Sequence, residues 1–238
     1  MPRVPPVINA TFRNTGGKQF ISKLRPNLSG YVYSTVFGTN SPVPNISPLA
    51  FLVDNCENVY VSGWGGSVNL SFHAGNTSLL PEVNPLPNIP AADGADLYFF
   101  VLEKNAQSQL FGSHFGQNGG GGDHVDGGTS RFDERGVIYQ AECANCNGVN
   151  TPGIIYPVGP VGVWSLTNNS DNCNQAAIKI DMNFSGVSVG LQAAINSVIN
   201  DTIGCIPLHV EFKDTLQNGV KFFWNFGDGT LDTTFVRS

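Results

Sequence analysis

The feature that most constrains the fold of this 238-residue chain is an internal repeat. Residues 20–38 align without a gap with residues 98–116, so that Leu24 matches Leu102, which lies 78 positions further on. A partial third copy places Ile180 after another step of the same length. A chain that repeats at this spacing folds as a row of similar supersecondary units, each of which buries its apolar face against its neighbour.

The second half of each unit also recurs, with an offset of 79. Asp54 and Tyr60 stand six residues apart, as do Asp133 and Tyr139. In both halves an alternating apolar run ends in Asn or Asp, a polar turn follows, and a second alternating run begins, which is the pattern of a β-hairpin. Two hairpins per unit give four strands, which is the size of one propeller blade.

Alternation within each run assigns faces to individual residues. In the strand that begins at Val59, we expect Val59 and Val61 to face one side and Tyr60 and Ser62 the other. The composition agrees, because 28 Gly, 15 Pro and only 13% charged residues favour many short strands over long surface helices.

Charge and hydropathy exclude two classes of partner. The net charge is −6 without a basic stripe, so nucleic-acid binding has no electrostatic basis. No apolar run approaches the roughly 20 residues that span a bilayer, so no membrane span is expected. No H-E-x-x-H motif occurs, and alternation sends Ser113 and His114 to opposite faces. The sequence therefore predicts a protein that is not an enzyme.

The C-terminal part has a different character. Residues 204–214 and 220–226 form alternating runs, and the second leads into a turn at Gly227–Thr230. We expect Trp224 and Phe226 to share a buried face. The run Trp224–Gly229 resembles the W-x-F-G-D-G signature of PKD domains, which implies the first strands of an immunoglobulin-like β-sandwich.

The repeats themselves resemble the seven-bladed β-propeller (SBBP) repeat of large Bacteroidetes surface proteins, on residues 45–64 and 124–133 and on the cysteine segments 143–146 and 170–174. That resemblance implies export by the type IX route, a cell-surface or extracellular address and association with gliding motility. It also implies disulfide-permissive conditions and supplies no catalytic residues.

Together these patterns predict an all-β chain with partial propeller-like repeats followed by a truncated PKD-like sandwich. The chain is expected to be a piece of a longer protein. The expected organisation is a repeat region at 1–189 with units at about 20–97 and 98–175 and a stub at 176–189, a linker at 190–203, and the PKD-like segment at 204–238.

Candidate site residues lie in the loops and turns. Asp123, His124 and Asp126 follow a run of four glycines and are candidates for ligand binding, together with Trp64. Local hydrogen bonding by these side chains is the alternative interpretation. No cofactor is expected, although oxygen-rich positions make Ca²⁺ the ion to consider, with Asp54, Glu57, Asp123 and Asp126 as weak candidate ligands.

Five cysteines leave one without an intramolecular partner if the others pair. We expect structural disulfides, with buried thiols or a metal site as alternatives, because a single CxxC lacks the second pair that a zinc site would want. The candidates for disulfides are Cys56, Cys143, Cys146 and Cys173.

The function expected from these features is that of a non-catalytic structural or adhesive module of a larger secreted or cell-surface protein. Its partners would be other domains of the same chain and, beyond them, surface glycans or proteins. The alternative is a carbohydrate-binding or carbohydrate-active propeller protein in which the PKD domain is an accessory.

Overall fold

A computed structural model divides the chain into two compact units, Met1–Asp181 and Met182–Ser238. In the described part of the chain, every regular element is a β-strand except a 3-10 turn at Lys104–Ala106, so the all-β prediction is confirmed. No helix in that part is long and apolar enough to cross a membrane. The structure describes residues 5–66, 75–118, 122–126, 128–134, 136–144, 173–182, 191–195, 198–199, 209–214 and 222–234.

The described strands of the first unit form three antiparallel groups. The first is a hairpin, the second a four-stranded sheet and the third a three-stranded sheet, each with its strands in chain order. The hairpin contains β1 (Gln19–Leu24) and β2 (Tyr31–Phe37); the four-stranded sheet contains β3 (Ser47–Val53), β4 (Val59–Trp64), β5 (Leu97–Leu102) and β6 (Gln109–Phe115); the last sheet contains β7 (Ser130–Phe132), β8 (Val137–Ala144) and β9 (Asn174–Asp181).

The β5–β6 hairpin repeats the β1–β2 hairpin residue for residue. Leu24 pairs with Tyr31, and Leu102 pairs with Gln109, each partner lying 78 positions after its counterpart. Both ladders are interrupted by an irregularity at the same place, immediately before Leu24 and immediately before Leu102. The two leucines therefore occupy equivalent positions, as the aligned sequence predicts.

The second hairpin repeats in the same way. Phe132 pairs with Ile138 on β7 and β8 as Val53 pairs with Val59 on β3 and β4. The next pairing repeats too, because Ile138 is opposite Ile180 on β9 as Val59 is opposite Leu102 on β5. Strand β9 thus holds the place of β1 and β5 in the third copy of the repeat.

Two of the three described groups combine strands from neighbouring sequence units. The four-stranded sheet joins β3–β4 of the first unit to β5–β6 of the second, whereas the sequence units grouped β1–β4 together. All six residues of β4 and all six of β5 are buried, which makes them central strands that are covered on both faces. Because more than thirty residues connect β4 to β5, a local sequence pattern does not reveal that these two strands pair.

The four-stranded sheet lies between the other two groups. On one face Val61 and Phe100 belong to a core that includes Phe37, whose ring centroid lies 5.0 Å from that of Phe100. On the other face the Tyr60 ring lies 5.7 Å from that of Phe132 on β7. The faces alternate along β4 as predicted, and the result is three stacked β-layers.

A short segment bridges to β2 and another bridges to β6, and these two segments are also equivalent, although the gap-free sequence alignment does not match them. Ile8 bridges to Ser34, and Val83 bridges to Gly112, which lies 78 positions after Ser34. Asn9 and Asn84 follow these bridges with positive φ of 49° and 48°, and each amide donates to a backbone carbonyl, of Val32 and Leu110 respectively. Their spacing is 75 rather than 78, which takes them out of the gap-free alignment.

The second compact unit contains the sheet β11–β10–β12 and the hairpin β13–β14. Residues predicted as linker thus contribute two strands. Of the strand predicted at 204–214, residues 210–214 form a strand, and residues 204–208 lie outside the described part of the chain. The strands are β10 (Leu191–Ile195), β11 (Val198–Ile199), β12 (Val210–Asp214), β13 (Phe222–Asn225) and β14 (Leu231–Thr234).

The W-x-F-G-D-G run spans the end of β13 and the following turn. Gly227 and Gly229 have φ of 79° and 94°, and the Asp228 carboxylate accepts the backbone N–H of Thr230 at 2.8 Å. Phe226 remains 47% exposed, although its ring lies 5.9 Å from that of Phe212 on β12. The prediction that Phe226 is a core residue is therefore wrong for the described packing.

Candidate functional site

Asp123 has a structural role at the end of β6. Its carboxylate accepts the Gln117 N–H at 2.6 Å, and the residue is 1% exposed. A Cβ on Gly116 would lie 2.4 Å from the same carboxylate, so the site requires glycine. In the first unit Asn45, 78 positions earlier, accepts the Thr39 N–H at 2.7 Å in the same way. Asp123 is therefore the counterpart of a repeated turn residue.

His124 is fixed to β8 by its backbone. Its N–H donates to the Cys143 carbonyl at 3.1 Å, and the Cys143 N–H donates to the His124 carbonyl at 2.9 Å. Residues that exchange both bonds across an antiparallel bridge project their side chains to the same face. The bridge therefore places the imidazole and the thiol side by side.

Asp126 completes a group with these two residues. Its Oδ2 lies 3.7 Å from Nε2 of His124 and 3.7 Å from Sγ of Cys143. All three ligand atoms lie within 4.8 Å of one another, and no other group of this kind occurs in the parts of the chain that the structure describes. The His124 side chain is 15% exposed and that of Asp126 is 81% exposed, so the group opens toward solvent on the Asp126 side.

The surroundings of the group are partly apolar. The Trp64 ring centroid lies 5.8 Å from that of His124, and Trp64 itself is only 6% exposed. Burial is the largest cause that raises the pKa of the Cys143 thiol, and the charges of Asp126 and Glu142 raise it further. Of the four predicted ligand-binding residues, the structure thus brings His124, Asp126 and Trp64 together.

The predicted calcium ligands Asp54 and Glu57 serve other purposes. The Asp54 carboxylate accepts the backbone N–H groups of Cys56 and Asn58, both at 2.8 Å, and the Tyr60 hydroxyl at 3.1 Å. It is therefore the turn residue of the β3–β4 hairpin, which is the alternative interpretation made from the sequence.

Glu57 contributes surface ion pairs. Its carboxylate contacts Lys23 and Lys104, the latter at 2.9 Å, and these two ammonium groups hold the pKa of Glu57 down at about 2. Asp54 and Glu57 therefore do not converge on a common ion.

Two cysteines differ from the disulfide expectation. Cys143 is a free thiol on β8 beside His124, and Cys56 is a thiol on the exposed β3–β4 turn. Cys173, immediately before β9, is disulfide-bonded. Cys146 lies outside the described residues. The sequence identified Cys143 only as part of a CxxC pair, because its neighbour in space is 19 positions away.

Asp96 is a further buried polar residue, and the sequence did not predict it as a site residue. The Asp96 carboxylate is 2% exposed and accepts N–H groups from Asp93 and Gly94, both at 3.2 Å. Burial, followed by the charge of Asp93, raises the pKa of Asp96 to about 6. The Thr77 hydroxyl contacts the same carboxylate at 3.4 Å.

His114 is also buried, with its ring between Glu82 at 3.1 Å and the Thr77 carbonyl at 2.8 Å. The hydroxyl of Ser113 donates to the His114 backbone carbonyl at 2.9 Å rather than to its ring. Ser113 and His114 therefore do not form a nucleophile–base pair. Near them, a cavity lined by Leu80, Tyr98 and others has room for about one water molecule.

Comparison with known proteins gives no relative: no family model, no curated protein and no solved structure matches this chain. The functional interpretation therefore rests on the residues and on the geometry described above.

Proposed function

We propose that the chain is a non-catalytic structural or adhesive module of a larger extracellular protein, with stacked propeller-like β-units of about 78 residues and a PKD-like segment after them. The observation that carries the proposal is the identical register of the repeated hairpins. Leu24–Tyr31 and Leu102–Gln109 are equivalent pairs in successive layers. A fold that repeats its backbone register while its loops differ is suited to building a rigid rod or ring.

The burial of the repeated strands supports a scaffold. Strands β4 and β5 are covered on both faces by neighbouring layers, so most of the large apolar side chains serve packing between units. Fully buried examples include Tyr60, Phe99 and Leu102. Such burial contributes about 1.5–3 kcal/mol for each large side chain and gives the stack its rigidity.

The hydrogen bonds made by the buried polar side chains favour a non-catalytic role. The buried acids Asp54, Asp96 and Asp123 each accept backbone N–H bonds within their own turns. The serine beside His114 does not approach its ring. These groups are occupied in holding turns, whereas a catalytic acid or nucleophile must face a substrate.

An extracellular address is favoured by the disulfide at Cys173, because disulfides persist in oxidising compartments. The likeness to SBBP repeats and to the PKD signature favours the same address and export by the type IX route. The run Trp224–Gly229 is the part of the chain that resembles the PKD signature, and Gly227 and Asp228 form its central turn.

The address is tested on cells that express the gene naturally. We expect a membrane-impermeant biotin reagent to label the protein on intact cells, and added protease to degrade it without cell lysis. A cytosolic marker protein provides the control. Labelling that appears only after lysis would overturn the extracellular proposal.

Catalysis and glycan binding are tested together on the purified chain. We expect no turnover on a panel of polysaccharides and glycosides. Binding on a glycan array without cleavage would specify the adhesive role as that of a lectin. Turnover that disappears in Asp126→Asn would overturn the non-catalytic proposal in favour of a carbohydrate-active protein.

A further inference from the structure

The group formed by His124, Asp126 and Cys143 has the donor atoms of a metal site. The double hydrogen bond between the backbones of His124 and Cys143 fixes two of the ligands on rigid structure, and Asp126 follows two residues after His124. Ligands held by backbone pairing lose little conformational freedom when they bind an ion, which favours tight binding.

The separations fit a single small ion. Zinc bonds of about 2.0–2.3 Å to nitrogen, oxygen and sulfur place tetrahedral ligand atoms roughly 3.3–3.7 Å apart. Oδ2 of Asp126 is 3.7 Å from both Nε2 of His124 and Sγ of Cys143. The remaining pair lies within 4.8 Å, which a modest side-chain rotation closes.

The first repeat unit offers an internal comparison. Ile46 lies 78 positions before His124, and Trp64 lies 79 positions before Cys143. Both are buried apolar residues, with exposures of 1% and 6%. The second unit thus carries an imidazole and a thiol where the first carries apolar packing, and packing alone does not require that change.

We propose that His124, Asp126 and Cys143 bind one zinc ion, or a similar divalent transition-metal ion, with a water molecule as the fourth ligand on the exposed Asp126 side. A neutral imidazole, a carboxylate and a thiolate balance the charge of Zn²⁺. Nitrogen and sulfur donors favour zinc over Ca²⁺, which prefers oxygen ligands. The site does not depend on the extracellular or adhesive role proposed above.

The bound ion would tie the segment after β6 to β8. It would link residues that are 19 positions apart, and it would stabilise the folded chain because the unfolded chain does not hold the three ligands together. The Trp64 ring, 5.8 Å from that of His124, lies close enough to sense the ion by its fluorescence.

The test titrates ZnCl2 into the full chain by isothermal titration calorimetry, after removal of any histidine tag. The protein is handled without oxygen and without added reductant, so that Cys143 stays a thiol and the Cys173 disulfide stays intact. We expect one ion per chain. His124→Ala and Cys143→Ser are each expected to weaken binding by more than about 100-fold, since even partners outside the ligand shell contribute about 10–100-fold. Cys56→Ser, which removes the other described thiol, is the matched control and should bind as the original chain does.

Cobalt substitution identifies the sulfur ligand. Co²⁺ should produce a thiolate charge-transfer absorption that disappears in Cys143→Ser and persists in Cys56→Ser. If Cys143→Ser does not fold, Asp126→Asn serves in its place, because the Asp126 side chain is 81% exposed and its change should leave the metal-free melting temperature unaltered while weakening binding. The absence of a one-to-one complex, or an unchanged cobalt spectrum in Cys143→Ser, would overturn the proposal.

Discussion

The Ser62 hydroxyl donates a hydrogen bond of 3.0 Å to Oε1 of Gln140, which lies 78 positions later in the chain. Ser62 is on β4 and Gln140 on β8, so the bond joins corresponding strands of two stacked sheets. Gln140 also accepts from Ser130 at 2.9 Å, and its amide donates to Glu142 at 3.4 Å. Since Ser62 and Gln140 are 0% and 3% exposed, this network is a polar contact inside an otherwise apolar interface.

Gln140→Leu should destabilise the fold by about 1–3 kcal/mol, because it leaves the buried Ser62 hydroxyl without its acceptor. Adding Ser62→Ala should recover part of that loss, since replacement of both partners by apolar groups removes the unsatisfied donor. Urea unfolding of the two single variants and the double variant measures the coupling. Ser29→Ala, on an exposed turn, is the control and should stay within about 0.5 kcal/mol of the original chain. Strictly additive losses would contradict the interpretation.

Asp54→Ala should be among the most destabilising single changes in the β3–β4 hairpin. The carboxylate accepts two backbone N–H groups and the Tyr60 hydroxyl inside the fold, so its removal should cost roughly 3 kcal/mol. Asn55→Ala in the same turn is exposed and should cost about 0.5 kcal/mol or less. The free energies of unfolding from denaturant titration make the comparison. Equal losses in the two variants would show that the turn does not depend on Asp54.

Gly116→Ala should disturb the turn that precedes His124. The new Cβ would stand 2.4 Å from the Asp123 carboxylate, which is held by the Gln117 N–H. We expect a loss of about 1–3 kcal/mol, as for other overpacked buried positions. Gly128→Ala provides the control, because no atom lies within 4 Å of its added Cβ. A fully stable Gly116→Ala variant would contradict the close approach.

The repeat made much of the fold predictable. Apolar alternation and an Asn or Asp turn determine a hairpin locally, so aligning Leu24 with Leu102 was enough to identify equivalent strand positions. The capping role of Asp54 followed from the same local pattern. These features depend on residues that are close in sequence, where backbone geometry limits the possibilities.

The pairing of β4 with β5 and the group around His124 were harder to predict from the sequence. Both depend on contacts across long connections, and a local pattern does not specify which strand joins which sheet. Cys143 approaches His124 only because a backbone bridge sets their register over 19 positions. The sequence placed Asp123 in the candidate site because of its neighbours in the chain, whereas its burial and its bond to Gln117 give it a structural role.

Asp96 makes the stability of the chain depend on pH. Burial and the charge of Asp93 raise its pKa from 3.8 to about 6, while the hydrogen bond from the Gly94 N–H lowers it by a smaller amount. Between these two values the folded chain holds a proton that the unfolded chain has released. The free energy of unfolding should therefore fall as the pH rises from about 4 to about 6, by up to roughly 3 kcal/mol, and stay level above that range.

Asp96→Asn isolates this effect, because an amide cannot ionise and its oxygen can still accept the Gly94 N–H. We expect the stability of Asp96→Asn relative to the original chain to improve by roughly 3 kcal/mol between pH 4 and pH 7. Urea unfolding of both proteins at the two pH values cancels the contribution of all other titrating groups. Asp93→Asn should shift the relative stability in the same direction by a smaller amount, because it removes only the second cause of the raised pKa. A difference between the original chain and Asp96→Asn that is the same at both pH values would mean that Asp96 titrates in the folded chain as it does when unfolded.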